Sequence, residues 1–530
     1  MQAATPWWQS ATIYHIYPRS FQDSNGDGVG DLPGINARLD YLVELGVDAL
    51  WLSPIYPSPM ADFGYDVSDF TDIHPLFGNL ADFEVLIREA HARDLRVILD
   101  YIPNHSSDRH PWFQASRASR DDPRRDWYLW RDPAPDGGPP NNWLSQFGGP
   151  AWTLDQLTGQ YYYHAYLREQ PDLNWRNPEV REAMFQVLRF WLERGVDGFR
   201  LDAFRRLVKD AGYRDEPPNP EYCPGVDNPA KQLLSIYTTE QPELFDIVQD
   251  MRRLADDYGE RVLIGELYLP IERLMPFYGT PEAPGIQLPG NFHLLMRPWE
   301  TTALADLIRE YEAALPAHGW PNWVLGNHDN HRIASKLGPA QARVAAMLLL
   351  TLRGTPTLYY GDELGMQDVL IPPHRVQDPW ELNVPGQGFG RDPERTPMQW
   401  TDGIHAGFSR VEPWLPVAAD AHRINVESER ADSHSMLNLH RCLLWLRRQE
   451  TALSLGAIDT VRTEGACLCY RRVANGRRLL VALNLSDTEA QVSLGAGRGR
   501  ILLSTHLDRE DAVAGMVRLR GDEGVVVALR

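Results

Sequence analysis

The 530-residue sequence contains only four cysteines, too few for the disulfide framework of a secreted scaffold. Cys467 and Cys469 have no second cysteine pair with which to bind zinc, so they are interpreted as small apolar residues of a strand. No hydrophobic run approaches the roughly 18 residues that a membrane span needs. The first residues also lack the basic and apolar segments of a signal peptide. We therefore expect a cytoplasmic protein with reduced thiols and no membrane partner.

Positive charge is also scarce, because 52 Lys and Arg residues stand against 72 Asp and Glu residues, for a net charge of −20. Such a field repels nucleic acids and anionic membrane surfaces, whereas it leaves a neutral ligand unaffected. Apolar residues make up 43% of the chain and charged residues 23%, which is typical of a globular protein of two or three domains. The composition is compatible with a monomer or a homodimer and predicts no nucleic-acid partner.

Short apolar runs alternate with amphipathic segments along most of the chain. The runs that indicate strands are 12–18, 49–54, 96–102, 198–204, 261–267, 322–329 and 355–361, with a weaker eighth at 286–292. The segments that indicate helices are 35–45, 80–94, 178–194, 242–258, 302–315, 339–353 and 435–453. Continuous apolar runs are typical of parallel strands that are buried on both faces. Eight repeats without a Gly-rich phosphate turn predict an α/β fold, a closed (β/α)8 TIM barrel.

Three changes of pattern divide the chain. The gap after the third strand is rich in Trp, Pro, Gly and Asp, and a second insertion follows the eighth strand at 366–425. After residue 454 the pattern changes to short strands at 461–472, 479–485, 491–494, 500–505 and 517–519. The sequence therefore predicts a barrel from 1–103 and 175–454, an inserted capping domain at 104–174, and a C-terminal antiparallel β-domain at 455–530.

Acidic residues stand where four of the predicted strands end. They are Asp100, Asp202, Glu266 and Asp329. Because active sites of (β/α)8 barrels lie at the carboxyl ends of the strands, these side chains are expected to converge. Paired carboxylates are what glycoside cleavage needs, one as nucleophile or base and one as acid, and the sequence leaves their separation open. A metal-dependent hydrolase barrel would instead need His-x-His on the first strand, where only His15 stands.

Four motifs occur in order along the chain: DYIPNH at 100–105, GFRLDA at 198–203, GE at 265–266 and NHD at 327–329. With these motifs the whole chain resembles the α-amylase superfamily, and within it the α-glucosidase and oligo-1,6-glucosidase branch. The resemblance implies that Asp202 is the nucleophile, that Glu266 is the general acid/base and that Asp329 stabilises the transition state. It also implies small neutral α-glucosides as substrates and no cofactor for catalysis.

The resemblance assigns eight further residues to sugar binding: Asp62, Tyr65, His105, Phe147, Tyr166, Arg200, His328 and Arg395. Asp62 and Arg395 are implied to clamp the hydroxyls of the terminal glucose, which closes one end of the site and limits release to single glucose units. A loop salt bridge is the alternative for this pair. Tyr65 is implied to stack on that sugar, whereas plain packing explains Phe147 and Tyr166 almost as well.

The loop at 23–31 reads DSNGDGVGD and places oxygen ligands at alternate positions, like the first part of a Ca²⁺ loop. It departs from that pattern because Gly34, not Glu, stands at the twelfth position. The resemblance implies a structural Ca²⁺ or Mg²⁺ bound by Asp23, Asn25, Asp27, the Val29 carbonyl and Asp31. The alternative is a hydrated Asx/Gly turn without an ion.

Ala203 follows the implied nucleophile, and in the resembled branch Thr or Ala at that place tends to accompany α-1,4 cleavage, and Val α-1,6 cleavage. We therefore expect an exo-acting retaining α-glucosidase for α-1,4-linked disaccharides and short oligosaccharides, with α-glucosyl transfer through the same covalent intermediate. The alternatives are an α-1,6-glucosidase, and a sugar isomerase or transglucosylase of the trehalose synthase or sucrose isomerase type. Non-catalytic transporter subunits with this fold carry a membrane helix and often lack the catalytic acids, unlike this sequence.

Overall fold

The computed structural model describes residues 5–530, and its centre is a nearly closed barrel of eight parallel strands. The strands are β1 (Ile13–Ile16), β2 (Ala49–Leu52), β3 (Arg96–Tyr101), β7 (Gly198–Leu201), β8 (Val262–Gly265), β9 (Leu288–Pro289), β10 (Asn322–Val324) and β11 (Thr355–Tyr359). Their order is β10-β11-β1-β2-β3-β7-β8-β9. This order confirms the predicted (β/α)8 barrel, and it includes the weak eighth strand as the two-residue β9.

The register of the barrel strands brings the acidic residues together. Asp100 of β3 lies opposite Arg200 of β7, and Leu201 of β7 lies opposite Gly265 of β8. Glu266 therefore follows β8 at the level where Asp202 follows β7. Since side chains paired across parallel strands point to the same face, this register delivers several charged groups to one end of the barrel.

Helices surround the barrel, and two of the long ones begin at an asparagine side-chain cap, Asn79 before residue 80 and Asn177 before residue 178. The helices include α1 (Trp7–Ser10), α2 (Leu32–Ala37), α3 (Leu39–Leu45), α4 (Leu80–His91), α6 (Pro178–Leu192), α7 (Glu243–Asp256), α8 (Ile271–Leu274), α9 (His293–Met296), α10 (Thr301–Ala314), α11 (Ile333–Thr351), α12 (Pro379–Asn383), α13 (Val426–Ala431), α14 (Met436–Gln449) and α15 (Thr451–Ser454). Three predictions are corrected. The helix expected at 35–45 is divided at Arg38, and the one expected at 435–453 is divided at Glu450. α11 begins before residue 339, with a kink at Gly338 where φ is 77°.

Residues 104–174 contain α5 (Pro111–Ala118) and a small antiparallel sheet of β4 (Trp130–Arg131), β5 (Trp152–Asp155) and β6 (Gln160–Tyr163). Aromatic side chains form the local core, in which Trp143 packs against Trp152 and Tyr163. The segment follows β3, as the sequence predicts, and the domain limits themselves stay a prediction.

The C-terminal residues form a six-stranded antiparallel sheet in the order β12-β13-β14-β17-β15-β16. Its strands are β12 (Ala457–Glu464), β13 (Cys467–Ala474), β14 (Arg477–Asn484), β15 (Ala490–Ser504), β16 (Ala512–Leu519) and β17 (Gly524–Leu529). The predicted strand 461–472 is instead a hairpin that turns at Gly465, where φ is 57°. The strands expected at 491–494 and 500–505 are one strand with a bulge, and β17 is not among the predicted strands.

Cys467 and Cys469 are free and buried in this sheet, as their strand interpretation predicts. Among the helices of residues 5–530, none combines the length and the hydropathy required to span a lipid bilayer.

Candidate active site

Side chains from the carboxyl ends of the barrel strands line a cavity of about 550 Å³. Asp202, Glu266 and Asp329 all face this cavity, after β7, β8 and β10 respectively. The capping segment adds Phe147 and Tyr166 to its wall. The structure therefore brings the three predicted catalytic carboxyls into one space, which is the condition for their acting on one bond.

Arg200 contacts the carboxyl that follows its own strand, β7, and one carboxyl from each neighbouring strand, β3 and β8. Its Nη1 lies 2.8 Å from Oδ1 of Asp100 and 2.6 Å from Oδ1 of Asp202. Its Nη2 lies 3.1 Å from Oε1 of Glu266. The Arg200 side chain is buried, so a single desolvated guanidinium contacts the predicted nucleophile and the predicted acid/base at once.

Burial raises the pKa of two of the carboxyls that Arg200 contacts. The pKa of Asp202 lies well above its usual range; Arg200 lowers it, and Glu266 and Asp100 raise it further. Burial also raises the pKa of Asp100 to about 6. The single guanidinium of Arg200 therefore does not offset the burial of these two carboxyls.

The residue after Asp202 has an unusual backbone. Ala203 has a φ of 46°, in the left-handed region that residues with a Cβ rarely adopt. In this conformation its N–H donates a hydrogen bond of 2.9 Å to Oε2 of Glu266. The turn after β7 therefore orients the carboxyl that follows β8, and such strained positions concentrate at functional sites.

Asp329 is surrounded by positively charged groups, and its pKa is shifted in the direction opposite to that of Asp202. Its Oδ1 lies 2.8 Å from Nη2 of Arg395 and 3.2 Å from Nη1 of Arg391, and its Oδ2 lies 3.4 Å from Nε2 of His328. Burial alone would raise the pKa of Asp329, but His328, Arg391 and Arg395 hold it well below its usual range. Burial also lowers the pKa of His328, so the two arginines are the charges that remain near neutral pH. Asp329 is therefore a fixed anion.

The predicted sugar-binding residues around Asp329 are linked by hydrogen bonds. The Tyr65 hydroxyl lies 2.6 Å from Nε2 of His328, and their rings are parallel with centroids 5.4 Å apart. Nε2 of His105 lies 3.1 Å from the Tyr65 carbonyl oxygen and 3.2 Å from Nε2 of Gln170. Burial lowers the pKa of His105 to about 4, so a neutral imidazole faces the cavity. Neutral donors and acceptors suit sugar hydroxyls.

The structure corrects the arginine of the predicted clamp. Arg391, not Arg395, pairs with Asp62, at 2.8 Å between Nη2 and Oδ1, and both of these residues line the cavity. Arg395 is fully buried and donates from Nε to the His328 carbonyl at 2.6 Å. The short 3₁₀ helix Asp392–Glu394 separates the two arginines, so only Arg391 reaches Asp62.

Aromatic rings form part of the cavity wall. The Phe147 ring lies 5.9 Å from that of Tyr166 and 5.2 Å from that of Trp380. The guanidinium carbon of Arg391 lies 5.1 Å from the Phe147 ring centroid. Phe147 and Tyr166 therefore line the cavity as predicted, and they also pack against other rings.

Several lining residues are not among the predicted ones: Gln146, Gln170, Arg205, Arg206, Tyr268, Met296, Asn330, Trp380, Phe389 and Arg391. Most stand on loops with no periodic pattern. A signal existed only for Asn330, which directly follows the NHD motif, and for Arg391, which opens the segment that also contains Arg395.

The predicted ion loop forms a compact turn. The two carboxyl oxygens of Asp23 accept hydrogen bonds from the N–H groups of Gly26 and Gly28, at 2.7 and 2.9 Å. Asn25 Oδ1, Asp27 Oδ1 and Asp31 Oδ1 accept backbone N–H groups in the same way, and Val29 donates the one to Asp27. These are the bonds of an Asx/Gly turn, and its oxygens are also the hard ligands that Ca²⁺ prefers. The bound ion therefore stays a prediction.

A (β/α)8 barrel whose strand ends present paired carboxyls under an aromatic cap defines a glycoside hydrolase. Residues 15–456 match the family model described as alpha amylase, catalytic domain, and residues 457–527 match a domain of unknown function, DUF3459. The chain therefore belongs to the α-amylase family, as its four motifs indicate.

Known proteins are similar over almost the whole chain. A probable alpha-glucosidase of Rhizobium meliloti is 41% identical over 524 residues, 95% of each chain. An oligo-1,6-glucosidase of Halalkalibacterium halodurans is 36% identical over 564 aligned positions, 99% of each chain. The crystal structure of an alpha-glucosyl transfer enzyme, XgtA, has a TM-score of 0.94 at 42% identity, over 99% of this chain and 100% of that chain. These similarities support glycoside hydrolase activity.

Proposed function

We propose that the protein is an exo-acting, retaining α-glucosidase that releases glucose from the non-reducing end of α-1,4-linked disaccharides and short oligosaccharides, with α-glucosyl transfer as a second outcome. The observation that carries this proposal is the contact of Arg200 with both Asp202 and Glu266, in the cavity that also contains Asp329. It supports a double displacement because it keeps a nucleophile and an acid beside one another.

In the first step, an oxygen of Asp202 attacks the anomeric carbon while Glu266 protonates the departing glycosidic oxygen. The C–O bond to the leaving group breaks, and a glucosyl ester of Asp202 forms. Asp329 is an anion that faces the positive charge developing on the sugar ring. Its two arginines keep it ionised, so it does not compete for the catalytic proton.

The first step needs Asp202 ionised and Glu266 protonated. Nη1 of Arg200 approaches Asp202 to 2.6 Å, whereas Nη2 lies 3.1 Å from Glu266. The shorter contact favours negative charge on Asp202 and opposes the burial that raises its pKa, and the double displacement assigns the proton to Glu266. Glu266 can then act first as acid and, once deprotonated, as base.

In the second step, Glu266 removes a proton from water, and the water oxygen attacks the anomeric carbon from the face that the leaving group vacated, so that the ester bond breaks and Asp202 leaves as a carboxylate. Two inversions restore the α-configuration. A sugar hydroxyl in the place of water gives α-glucosyl transfer. Met296 and Phe389 line the cavity together with these groups, so an acceptor meets an apolar wall as well as polar groups.

The proposal of exo action rests on Asp62 and Arg391. Asp62 pairs with Arg391, and Oδ2 of Asp62 also accepts from Nε2 of Gln170 at 3.2 Å. Both carboxylate oxygens are thus held within a buried network beside the cavity, which suits recognition of the hydroxyls of a terminal sugar. The preference for α-1,4 linkages rests on Ala203, because in the resembled α-glucosidase and oligo-1,6-glucosidase branch an Ala or Thr after the nucleophile tends to accompany α-1,4 cleavage.

Product analysis tests the proposal. The purified chain is incubated with maltose, isomaltose, sucrose and trehalose, and the products are separated by chromatography, with the first-formed anomer assigned by NMR. Glucose released as the α-anomer, fastest from maltose, is the expected result. Isomaltose as the best substrate would replace the α-1,4 assignment, and isomerised disaccharides would replace hydrolysis. No turnover of any α-glucoside would refute the enzyme proposal.

A further inference from the structure

A second group of metal-ligating side chains lies close to the cavity without lining it. Nδ1 of His331 is 2.9 Å from Oδ2 of Asp368 and 3.7 Å from Oε2 of Glu394. One ligand atom from each of these residues lies within 4.8 Å of the other two, and no other set of this kind occurs among residues 5–530. The three residues come from three separate segments, so the fold rather than local sequence gathers them.

Glu394 contributes a buried carboxyl oxygen to this group. It is 1% exposed, and its Oε2 has no hydrogen-bond partner in the described part of the chain. Burial raises the pKa of its carboxyl well above the usual range. A buried carboxyl oxygen without a partner is unfavourable, so this atom needs either a proton or a cation. It is directed at His331, the exposed end of the group.

Neighbouring charges do not satisfy this oxygen. Arg332 pairs with Asp362, at 3.3 Å, instead of with Glu394. Lys336 makes no ion pair within 4.0 Å of any carboxylate in the residues that the structure covers; burial lowers its pKa, and the charges of Asp368 and Glu394 raise it. The 2.9 Å contact of His331 with Asp368 accounts for two members of the group, and Oε2 of Glu394 lies 3.7 Å from His331 without a hydrogen bond.

We propose that His331, Asp368 and Glu394 bind a divalent transition-metal ion, such as Zn²⁺. One imidazole nitrogen with two carboxylate oxygens is a ligand set for Zn²⁺, Co²⁺ or Mn²⁺, whereas Ca²⁺ prefers oxygen alone. In a tetrahedral zinc site the ligand atoms are about 3.3 Å apart. The distances from Nδ1 of His331 to Oδ2 of Asp368 and to Oε2 of Glu394, 2.9 and 3.7 Å, lie on either side of that spacing. The His331 side chain is 48% exposed, so the ion has a path from solvent and a water can complete its coordination.

Such an ion would connect segments that carry active-site residues. His331 stands two residues after Asp329, and Glu394 stands between Arg391 and Arg395. The ion would stabilise the position of these arginines against Asp329 and would take no part in the chemistry. It is distinct from the ion predicted for the loop at 23–31, both in place and in ligand type.

The test compares metal binding by the full-length chain and three variants after removal of metals with a chelator and dialysis. Glu394→Gln keeps the shape of the protonated carboxyl, and His331→Gln removes the nitrogen ligand. His434→Gln is the matched control, because it removes an exposed histidine that lies 3.9 Å from Asp432. Zn²⁺ binding is measured by equilibrium dialysis with elemental analysis, and Co²⁺ binding by visible absorption. Apo-protein melting curves show whether each variant folds.

The wild-type protein and the His434→Gln variant should each bind one Zn²⁺ more tightly, by about tenfold or more, than the Glu394→Gln and His331→Gln variants do. Added Zn²⁺ should raise Tm only in the two tight binders. Equal binding by all four proteins, or no zinc binding by the wild type, would overturn the proposal. A further variant, Asp27→Asn, is measured in the same way; loss of its zinc binding, with binding kept in Glu394→Gln, would overturn the proposal and place the ion in the loop at 23–31. Turnover of p-nitrophenyl α-glucoside, measured in parallel, tests the proposed function separately.

Discussion

Replacing Glu266 by Gln separates its chemical role from its structural one. Oε1 of Glu266 contacts Nη2 of Arg200 at 3.1 Å, and Oε2 accepts from the Ala203 N–H at 2.9 Å. Both partners are donors, and Gln has a single acceptor oxygen, so its NH₂ group must face one of the two donors. One donor is left without a partner, which costs about 1–3 kcal/mol of folding stability. We expect a lower Tm with the fold retained.

The chemical loss should depend on the leaving group. Loss of general acid catalysis slows cleavage by about 10²–10⁴-fold, or about 2.7–5.4 kcal/mol of barrier. This penalty applies fully to maltose, whose leaving alcohol needs a proton. It nearly vanishes for the first step on p-nitrophenyl α-glucoside, because p-nitrophenolate leaves unprotonated. The second step still lacks its base, so the glucosyl ester of Asp202 should accumulate.

Rapid-mixing kinetics and intact-protein mass spectrometry measure this difference. Glu266→Gln should give a burst of p-nitrophenol equal to the enzyme concentration and a mass gain of one glucosyl residue. Azide should restore turnover by attacking the ester without a base. The control is Glu272→Gln, an exposed Glu on α8, which should behave as wild type. Equal losses on maltose and on the aryl glucoside, with no burst, would refute the acid/base assignment.

Four further predictions concern other residues. Asp202→Asn should lower kcat on every α-glucoside by about 10⁴-fold or more with a near-native melting curve, and retained turnover would exclude it as nucleophile. Arg391→Lys should raise KM for maltose more than Arg395→Lys does, and the reverse order in steady-state kinetics would restore the sequence-based clamp. Burial raises the pKa of Glu429 to about 8. The protonated carboxyl therefore contributes fully to folding stability below about pH 4.5, and this contribution is lost as the pH rises through 8. In Glu429→Gln, the decline of the calorimetric Tm over this pH range should be smaller. In protein prepared free of transition metals and loaded with Ca²⁺, chelation should lower Tm of the wild type but not of Asp27→Asn, and an unchanged wild-type melting curve would favour a loop without an ion.

The barrel is predictable from sequence because most of its strands are short apolar runs, and several are followed directly by a polar residue. Gly198–Leu201 followed by Asp202 is such a run, and glycine is required there because a Cβ on Gly198 would collide with the Val262 carbonyl oxygen. Some expected strands extend too far, as at 322–329, because Leu325 continues the apolar run beyond the last strand residue, Val324. The hairpin at Gly465 was not predicted because only two residues, Gly465 and Ala466, separate its strands.

The convergence of Asp202, Glu266 and Asp329 in one cavity is equally predictable, whereas the arginine that pairs with Asp62 is not. Arg391 and Arg395 stand four residues apart in one loop and carry the same charge. Which of the two arginines pairs with Asp62 depends on the 3₁₀ helix Asp392–Glu394 and on the position of Asp62. Both are features of the tertiary structure. Gln170 likewise joins the site through the path of the capping segment, for which no local pattern exists.

The pKa shifts of Asp202 and Asp329 depend on how many guanidiniums each carboxyl contacts. Burial raises the pKa of Asp202, which shares a single arginine with Asp100 and Glu266. Asp329 contacts both Arg391 and Arg395, and its pKa lies well below the usual range. Two aspartates of one cavity thus have pKa values shifted in opposite directions, because the arginines are distributed unequally among the strand ends.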